Sequence, residues 1–237
     1  MKKYKHNMNN KELNWIYLFI SHIKRDILIN SRSLFDIVSI FGFMLLIIIL
    51  FPMGIGPIQE KLDIISNAVL WIGLIIAIIP SLEKMIQRDY TNGWLDQIAT
   101  SPIPLEIVLL AKSISHWIIV IIPLIITSPI FAILLGLEFN QIPWLILSMS
   151  IGGLSICFIG IIGAALILGA RRGNILLPII ILPLIIPILI FGVGVNEAIK
   201  IGLSPLPNLF LLIAFSLIYL VISPFISAIL IRIAISR

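Results

Sequence analysis

Six stretches of the chain contain no Asp, Glu, Lys or Arg: residues 37–58, 64–82, 113–137, 139–170, 173–196 and 201–231. Within them apolar residues run on without the alternation of a half-buried strand. Each is close to, or longer than, the roughly 20 apolar residues that carry an α-helix across a hydrocarbon core. No water satisfies backbone N–H and C=O groups there, so a spanning segment closes its hydrogen bonds internally, as a helix. The pattern predicts an all-α polytopic membrane protein with six transmembrane helices.

Two segments outside these runs keep a helical period. Over residues 12–30, Leu13, Ile16, Ile20, Ile23 and Ile27 share one face, with Asn14, Ser21 and Arg25 opposite. This predicts an amphipathic helix lying in the membrane interface, its basic face toward headgroups. Extending the first span through it would draw Lys24, Arg25 and Asp26 into the hydrocarbon. Residues 81–112 form the longest loop on the cytoplasmic side. Leu82, Met85, Ile86 and Tyr90 share a face, and Glu83, Lys84, Gln87 and Arg88 share the other. Asn92-Gly93 predicts a turn; Trp94, Leu95 and Ile98 resume the apolar face until Ser101-Pro102-Ile103-Pro104 stops it. Such an element is either a passive helix among headgroups or a docking surface for a cytoplasmic partner.

The spans differ in their breakers. The first ends at Phe51-Pro52, with Gly54, Gly56 and Pro57 in the outer turn, and the second covers about 64–80. The third, 115–135, contains Pro123 and Pro129. The fourth, 144–168, pairs Gly160 with Ala164 and Ala165 with Gly169, a spacing that lets helix backbones approach closely. That seam serves either intramolecular packing or a second copy of the chain. In the fifth, Pro178, Pro183 and Pro187 each remove a backbone donor. We expect that helix to be bent or broken and the outer segment 191–207 to re-enter the membrane partly.

Composition narrows the class. The 237 residues are 60% hydrophobic and 11% charged, against about 25% charged in soluble domains. A soluble enzyme is excluded. No linker divides residues 1–237, which read as one domain, and no cleavable signal peptide pattern precedes the first span. Placing the N-terminus in the cytoplasm assigns 14 of the 16 Lys and Arg to inner segments, leaving only Lys61 and Lys200 outside. The positive-inside rule then puts both termini in the cytoplasm. The net charge of +5 marks orientation, and nucleic-acid binding is not needed to explain it. The 58 isoleucines suit A+T-rich coding, so the inner membrane of a bacterium or of a mitochondrion is expected.

Candidate chemistry is sparse. No Gly-Lys dipeptide occurs, hence no phosphate-binding loop, and ATP hydrolysis would have to come from a partner. A lone cysteine, Cys157, excludes an internal disulfide and reads as a packed core side chain. His6, His22 and His116 are too scattered for a metal cluster, and His116-Trp117 reads as an interfacial anchor where the third span begins. No span carries an ionisable residue near its middle, which disfavours a proton-coupled carrier.

Glu83, Arg88-Asp89, Gly93, Leu95-Asp96, Ser101-Pro102 and Lys112 resemble the segment after the second span of type-2 ABC exporter permeases. Further matches run in order along most of the chain. They are Leu50-Phe51-Pro52 with Gly56-Pro57, Trp71, Ser101-Pro102-Ile103-Pro104-Leu105, Leu110-Ala111-Lys112 and His116-Trp117. Gly169 through Arg171-Arg172-Gly173, Leu182-Pro183-Leu184 and Ile186-Pro187-Ile188-Leu189-Ile190-Phe191-Gly192 complete them. Together they resemble the haem exporter protein B family, the permease of the cytochrome c maturation system. Trp94, where the family has a small hydroxyl residue, and Asn174, where it has Gly, depart from the pattern.

The resemblance implies a complex with a separate cytoplasmic ABC ATPase and with membrane proteins that present haem to a haem chaperone. It implies ATP-driven release of the loaded chaperone. On that basis Glu83, Arg88, Asp89, Gly93, Asp96, Ser101, Pro102 and Lys112 are expected to couple to the ATPase. Pro183, Pro187, Gly160 and Ala164 are expected to shape a membrane pathway or its packing. ATP and haem are expected on partners, with no cofactor on this chain; the five dispersed tryptophans form no outer haem platform. A general type-2 exporter of a lipid, drug or glycan and a non-transporting assembly scaffold are the alternatives.

Overall fold

A computed structural model describes residues 15–31, 34–56, 59–168 and 173–236. Residues 12–14, Pro57, Gly169 and Arg171-Arg172, and the Lys61 and Asn174 side chains, lie outside what is described. In chain order the helices are α1 (Trp15–Asn30), α2 (Leu34–Ile55), α3 (Gln59–Thr91), α4 (Trp94–Ala99) and α5 (Leu105–His116). A π-helical turn, Trp117–Ile121, joins α5 to α6 (Ile122–Leu134). A 3-10 turn, Phe139–Gln141, leads into α7 (Ile142–Leu166), followed by α8 (Gly173–Lys200) and α9 (Leu206–Ile235). Among the described residues, six helical segments are long and apolar enough to cross a membrane, as the charge-free runs predict.

The bundle is built around α7, the most enclosed span, which packs against α3, α5, α6, α8 and α9. Apolar residues surround α7 rather than forming a stripe, as expected of a helix with neighbours on all sides. Its small residues set the distances. A Cβ on Gly160 would lie 2.6 Å from Cδ2 of Leu82 on α3, and Ala164 is buried. The Gly160–Ala164 pair is therefore occupied by packing within the chain.

Three expectations are corrected. First, α3 does not end at Pro80 but runs unbroken to Thr91, so the two-faced helix expected after the second span is a continuation of it rather than a separate element. The 30 residues Leu62–Thr91 reach about 45 Å against a core of about 30 Å, which leaves the charged end projecting beyond the hydrocarbon. Second, the helix that carries the third span already begins at Leu105, and it turns Lys112, Ser113, Ser115 and His116 inward, all buried. His116 is not an interfacial anchor; its Nε2 lies 3.1 Å from Ser81 Oγ. The π-turn follows at once. Pro123 cannot donate a hydrogen bond, and local π geometry is one way a lipid-embedded helix reassigns the freed carbonyl.

Third, α8 is one helix of 28 residues that keeps Pro178, Pro183 and Pro187 inside it. It is not broken, and residues 191–200 are its last turns rather than a re-entrant segment. Only the stretch from Ile201 to Pro205 turns, with Gly202 at φ +74°. Each proline forfeits one hydrogen bond. In apolar surroundings no water competes for the rest, so the helix persists. Tyr219 Oη donates to the Leu184 carbonyl within this proline-rich stretch, at 3.3 Å.

Candidate coupling site

At the projecting end of α3 the predicted division of faces holds. Leu82, Met85 and Ile86 are buried, while Lys84 and Arg88 face outward. The helix stops because Gly93 takes a left-handed conformation, φ +69°, that a residue with a Cβ resists. Its N–H donates to the Tyr90 carbonyl at 3.0 Å, closing the turn. α4 then tucks Leu95 and Ile98 inward and leaves Asp96 and Gln97 exposed. Ser101 ends it: Oγ donates to the Ile98 carbonyl at 2.8 Å and accepts from the Ile103 N–H at 3.3 Å. Pro102 is exposed beside it, and α5 starts after Pro104.

Beneath this surface lies a closed ring of four charges. Lys112 Nζ on α5 is 2.5 Å from Asp89 Oδ2 on α3 and 3.1 Å from Asp26 Oδ2 on α1. Arg25 completes the ring, with Nη2 at 2.9 Å from Asp89 Oδ1 and Nη1 at 2.7 Å from Asp26 Oδ1. Three of the four side chains are at least nine-tenths buried; Arg25 is 27% exposed. The ring is neutral, and each carboxylate meets two cations, as buried charges require. Trp94 covers it: the Arg25 guanidinium lies 3.6 Å from its ring centroid, a cation–π contact. His22 meets the same indole edge-on at 5.9 Å. Burial there lowers the His22 pKa, with Arg25 and Lys112 acting in the same direction and Asp26 against them.

The predicted site residues therefore divide. Arg88, Asp96 and Pro102 are exposed; Glu83, Gly93 and Ser101 are half-buried at the same tip. Asp89 and Lys112 are not surface charges but partners within the ring. Pro183 faces outward from α8 and Pro187 is half-buried, while Gly160 packs against Leu82 at the base of the tip rather than on its exposed rim. Arg25 does not meet headgroups; it turns inward, while Ile16, Tyr17 and Ile20 leave an exposed apolar ridge on α1. Sequence reading missed Arg25, Asp26 and Trp94 as members of the site. The signal present was an acid, Asp26, directly beside two bases on a helix otherwise without acids in its described length.

Six helices long and apolar enough to span, locked at one end by a ring of charges, define a multi-pass membrane protein. The family model described as "CcmB protein" matches residues 17–234, and the chain belongs to that family. It is 34% identical over 209 residues to the "Heme exporter protein B" of Paracoccus denitrificans, covering 88% of this chain and 96% of the relative. The protein of the same name from Rhodobacter capsulatus is 38% identical over 192 residues, 81% of this chain and 88% of the relative. That of Haemophilus influenzae is 36% identical over 220 residues, covering 93% and 100%.

Proposed function

We propose that this chain is the membrane permease subunit of an ABC-type complex in c-type cytochrome biogenesis. Its projecting tip docks a separate ATPase, and the charge ring conveys the ATPase's movement to α1, α3 and α5. The observation that carries this reading is the combination at one end of the bundle. An exposed rim of Arg88, Asp96 and Pro102 stands on helices fixed to each other by a ring of four charges, three of them buried. A passive headgroup helix has no need of that anchorage. Family membership supplies the setting: relatives named for haem export.

In this reading the protein sits in the cytoplasmic membrane with both termini inside. ATP is bound by the partner, and haem is bound by companion membrane proteins and the haem chaperone. A second copy of the permease completes the complex. The step driven is departure of the haem-loaded chaperone rather than passage of haem through the bundle.

The test is deletion of the gene. Cells should lack mature c-type cytochromes and accumulate covalently haem-loaded chaperone on the membrane complex; haem-free chaperone, with haem supply shown intact, overturns the release step. Normal c-type cytochromes would point instead to a general exporter. Docking is tested separately with Arg88→Ala/Asp96→Ala. Exposed charges contribute about 0–1 kcal/mol to stability, so the variant should insert normally yet lose co-purification of the ATPase.

A further inference from the structure

At the end of the bundle opposite the tip, α3 and α8 meet along three antiparallel rungs. At the rim, Lys200 Nζ donates to the Asp63 carbonyl at 2.5 Å and lies 3.4 Å from Asp63 Oδ1 and 3.8 Å from Glu197 Oε1. At the middle rung, Asn67 Nδ2 donates to the Val193 carbonyl at 2.7 Å. At the floor, the Trp71 ring fills a notch between two glycines. A Cβ on Gly192 would lie 2.3 Å from its Cζ2, and one on Gly152 would lie 2.4 Å from its Cη2.

Residues 63, 67 and 71 follow one another at i, i+4 and i+8, as do 192, 196 and 200, so each set lies on one helix face. With 63 meeting 200 and 71 meeting 192, the register sets Asn196 across from Asn67. Both side chains are completely buried, as is Trp71. Asn67 Oδ1, both amide atoms of Asn196 and Trp71 Nε1 have no hydrogen-bonding partner in the protein.

These orphaned atoms comprise two carbonyl acceptors and two donor nitrogens, one of each type on Asn196. Polar atoms fully enclosed in a structure are almost always satisfied. A cation could pass Asp63 and Glu197 at the rim, but it would leave the donor nitrogens of Asn196 and Trp71 unpaired. An anion would face two carbonyl oxygens. The set matches a small neutral molecule that both donates and accepts, and water is the one available from the rim.

We infer that Asn67, Asn196 and Trp71 form an internal water site. The α3–α8 seam admits water from the Lys200–Asp63 rim down to Trp71 and no further. From rim to floor the seam runs eight residues, about 12 Å along the helices. The indole, seated in both glycine notches, closes it toward the middle of the bundle. None of the coupling-site residues takes part in this seam.

The test uses the full-length protein in liposomes, in a Cys157→Ala background, with single cysteines at Asn196, Asn67, Ile188 and Ser204. A water-soluble, charged methanethiosulfonate reagent is added from the Ser204 side. Only the thiolate reacts, and a dry site raises the thiol pKa, each unit removing about tenfold of rate. Asn196→Cys and Asn67→Cys should react slower than the exposed Ser204→Cys but at least about tenfold faster than Ile188→Cys, which lies below Trp71. Lys200→Met should accelerate Asn196→Cys and leave Ile188→Cys unchanged. Equal silence at 196, 67 and 188 in both backgrounds overturns the water site. Reaction at 188 as fast as at 196 overturns Trp71 as its floor.

A second measurement avoids cysteine variants in the seam. Deuterium exchange of the Trp71 indole N–H is read by resonance Raman as the difference between wild type and Trp71→Phe. Exchange within minutes supports the site, and an indole still protonated after a day overturns it.

Discussion

The two ends of α3 bury polar groups in opposite ways. At one end Asp89 meets two cations that are themselves shared with Asp26, and no charge in the ring lacks a partner. At the other, Asn67, Trp71 and the facing Asn196 are equally buried and retain four atoms without partners. The difference follows from the desolvation penalty. An isolated ion in a medium of low dielectric costs many kcal/mol, whereas an unpaired amide or indole atom costs about 1–3. Charges therefore force complete pairing and fix α1, α3 and α5 against each other. Neutral groups tolerate an imperfect seam, and one that a small guest molecule can complete.

Breaking the charged end should have the largest effect. Lys112→Met leaves two carboxylates to one guanidinium and should destabilise the protein by about 3–5 kcal/mol, read as loss of thermal stability in detergent. Adding Asp89→Asn restores neutrality and should recover most of the loss. A mild Lys112→Met would erase the contrast between the two ends.

At the opposite end, packing should matter more than hydrogen bonding. Gly192→Ala drives a methyl into the Trp71 ring and should cost about 1–3 kcal/mol. Asn196→Leu removes both orphaned atoms of that residue and should change stability by no more than about 1 kcal/mol. If Asn196→Leu proved as damaging as Lys112→Met, the seam would be a specified polar network after all.

The smallest effect concerns His22. Its pKa is lowered in the folded state, so the unfolded chain takes up the proton more readily. Stability from this residue is present above the unfolded value of about 6.5 and declines as pH falls through it. Melting temperature measured at pH 7.5 and 5.5 should therefore drop less in His22→Gln than in wild type. An equal drop would mean that His22 is solvated beside Trp94 and adds nothing to the charged end.

The spans were legible because a run without charges is a property of composition, needing no knowledge of neighbours. Pairing was not. Arg25 and Asp89 are 64 residues apart, and nothing local to either names the other. Lys112 was misleading for the same reason. A lysine reads as solvent-facing only while it is unpaired; neutralised by Asp26 and Asp89, it is buried inside a helix that starts at Leu105. That displacement carried His116 from the interface, where its sequence neighbours suggested it, into the interior. The prolines of α8 were overread because their helix-breaking strength reflects competition from water that a membrane does not provide. Gly93 was read correctly, since Asn-Gly signals a left-handed turn from two residues alone.

The charge ring also has a consequence for how the chain is made. Synthesis delivers its members in order: Arg25 and Asp26 first, Asp89 64 residues after Arg25, and Lys112 another 23 residues on. At roughly 5–20 residues per second these gaps last about 3–13 s and 1–5 s. During the second gap a nascent chain holds two carboxylates against one guanidinium, and α1 has no settled seat. Only the arrival of Lys112 from the ribosome balances the set. A chain that stalls before that point, or threads its third span the wrong way, keeps a surplus negative charge at the membrane surface. Finished and unfinished molecules thus differ by a single unpaired carboxylate, within reach of the machinery that surveys newly inserted proteins.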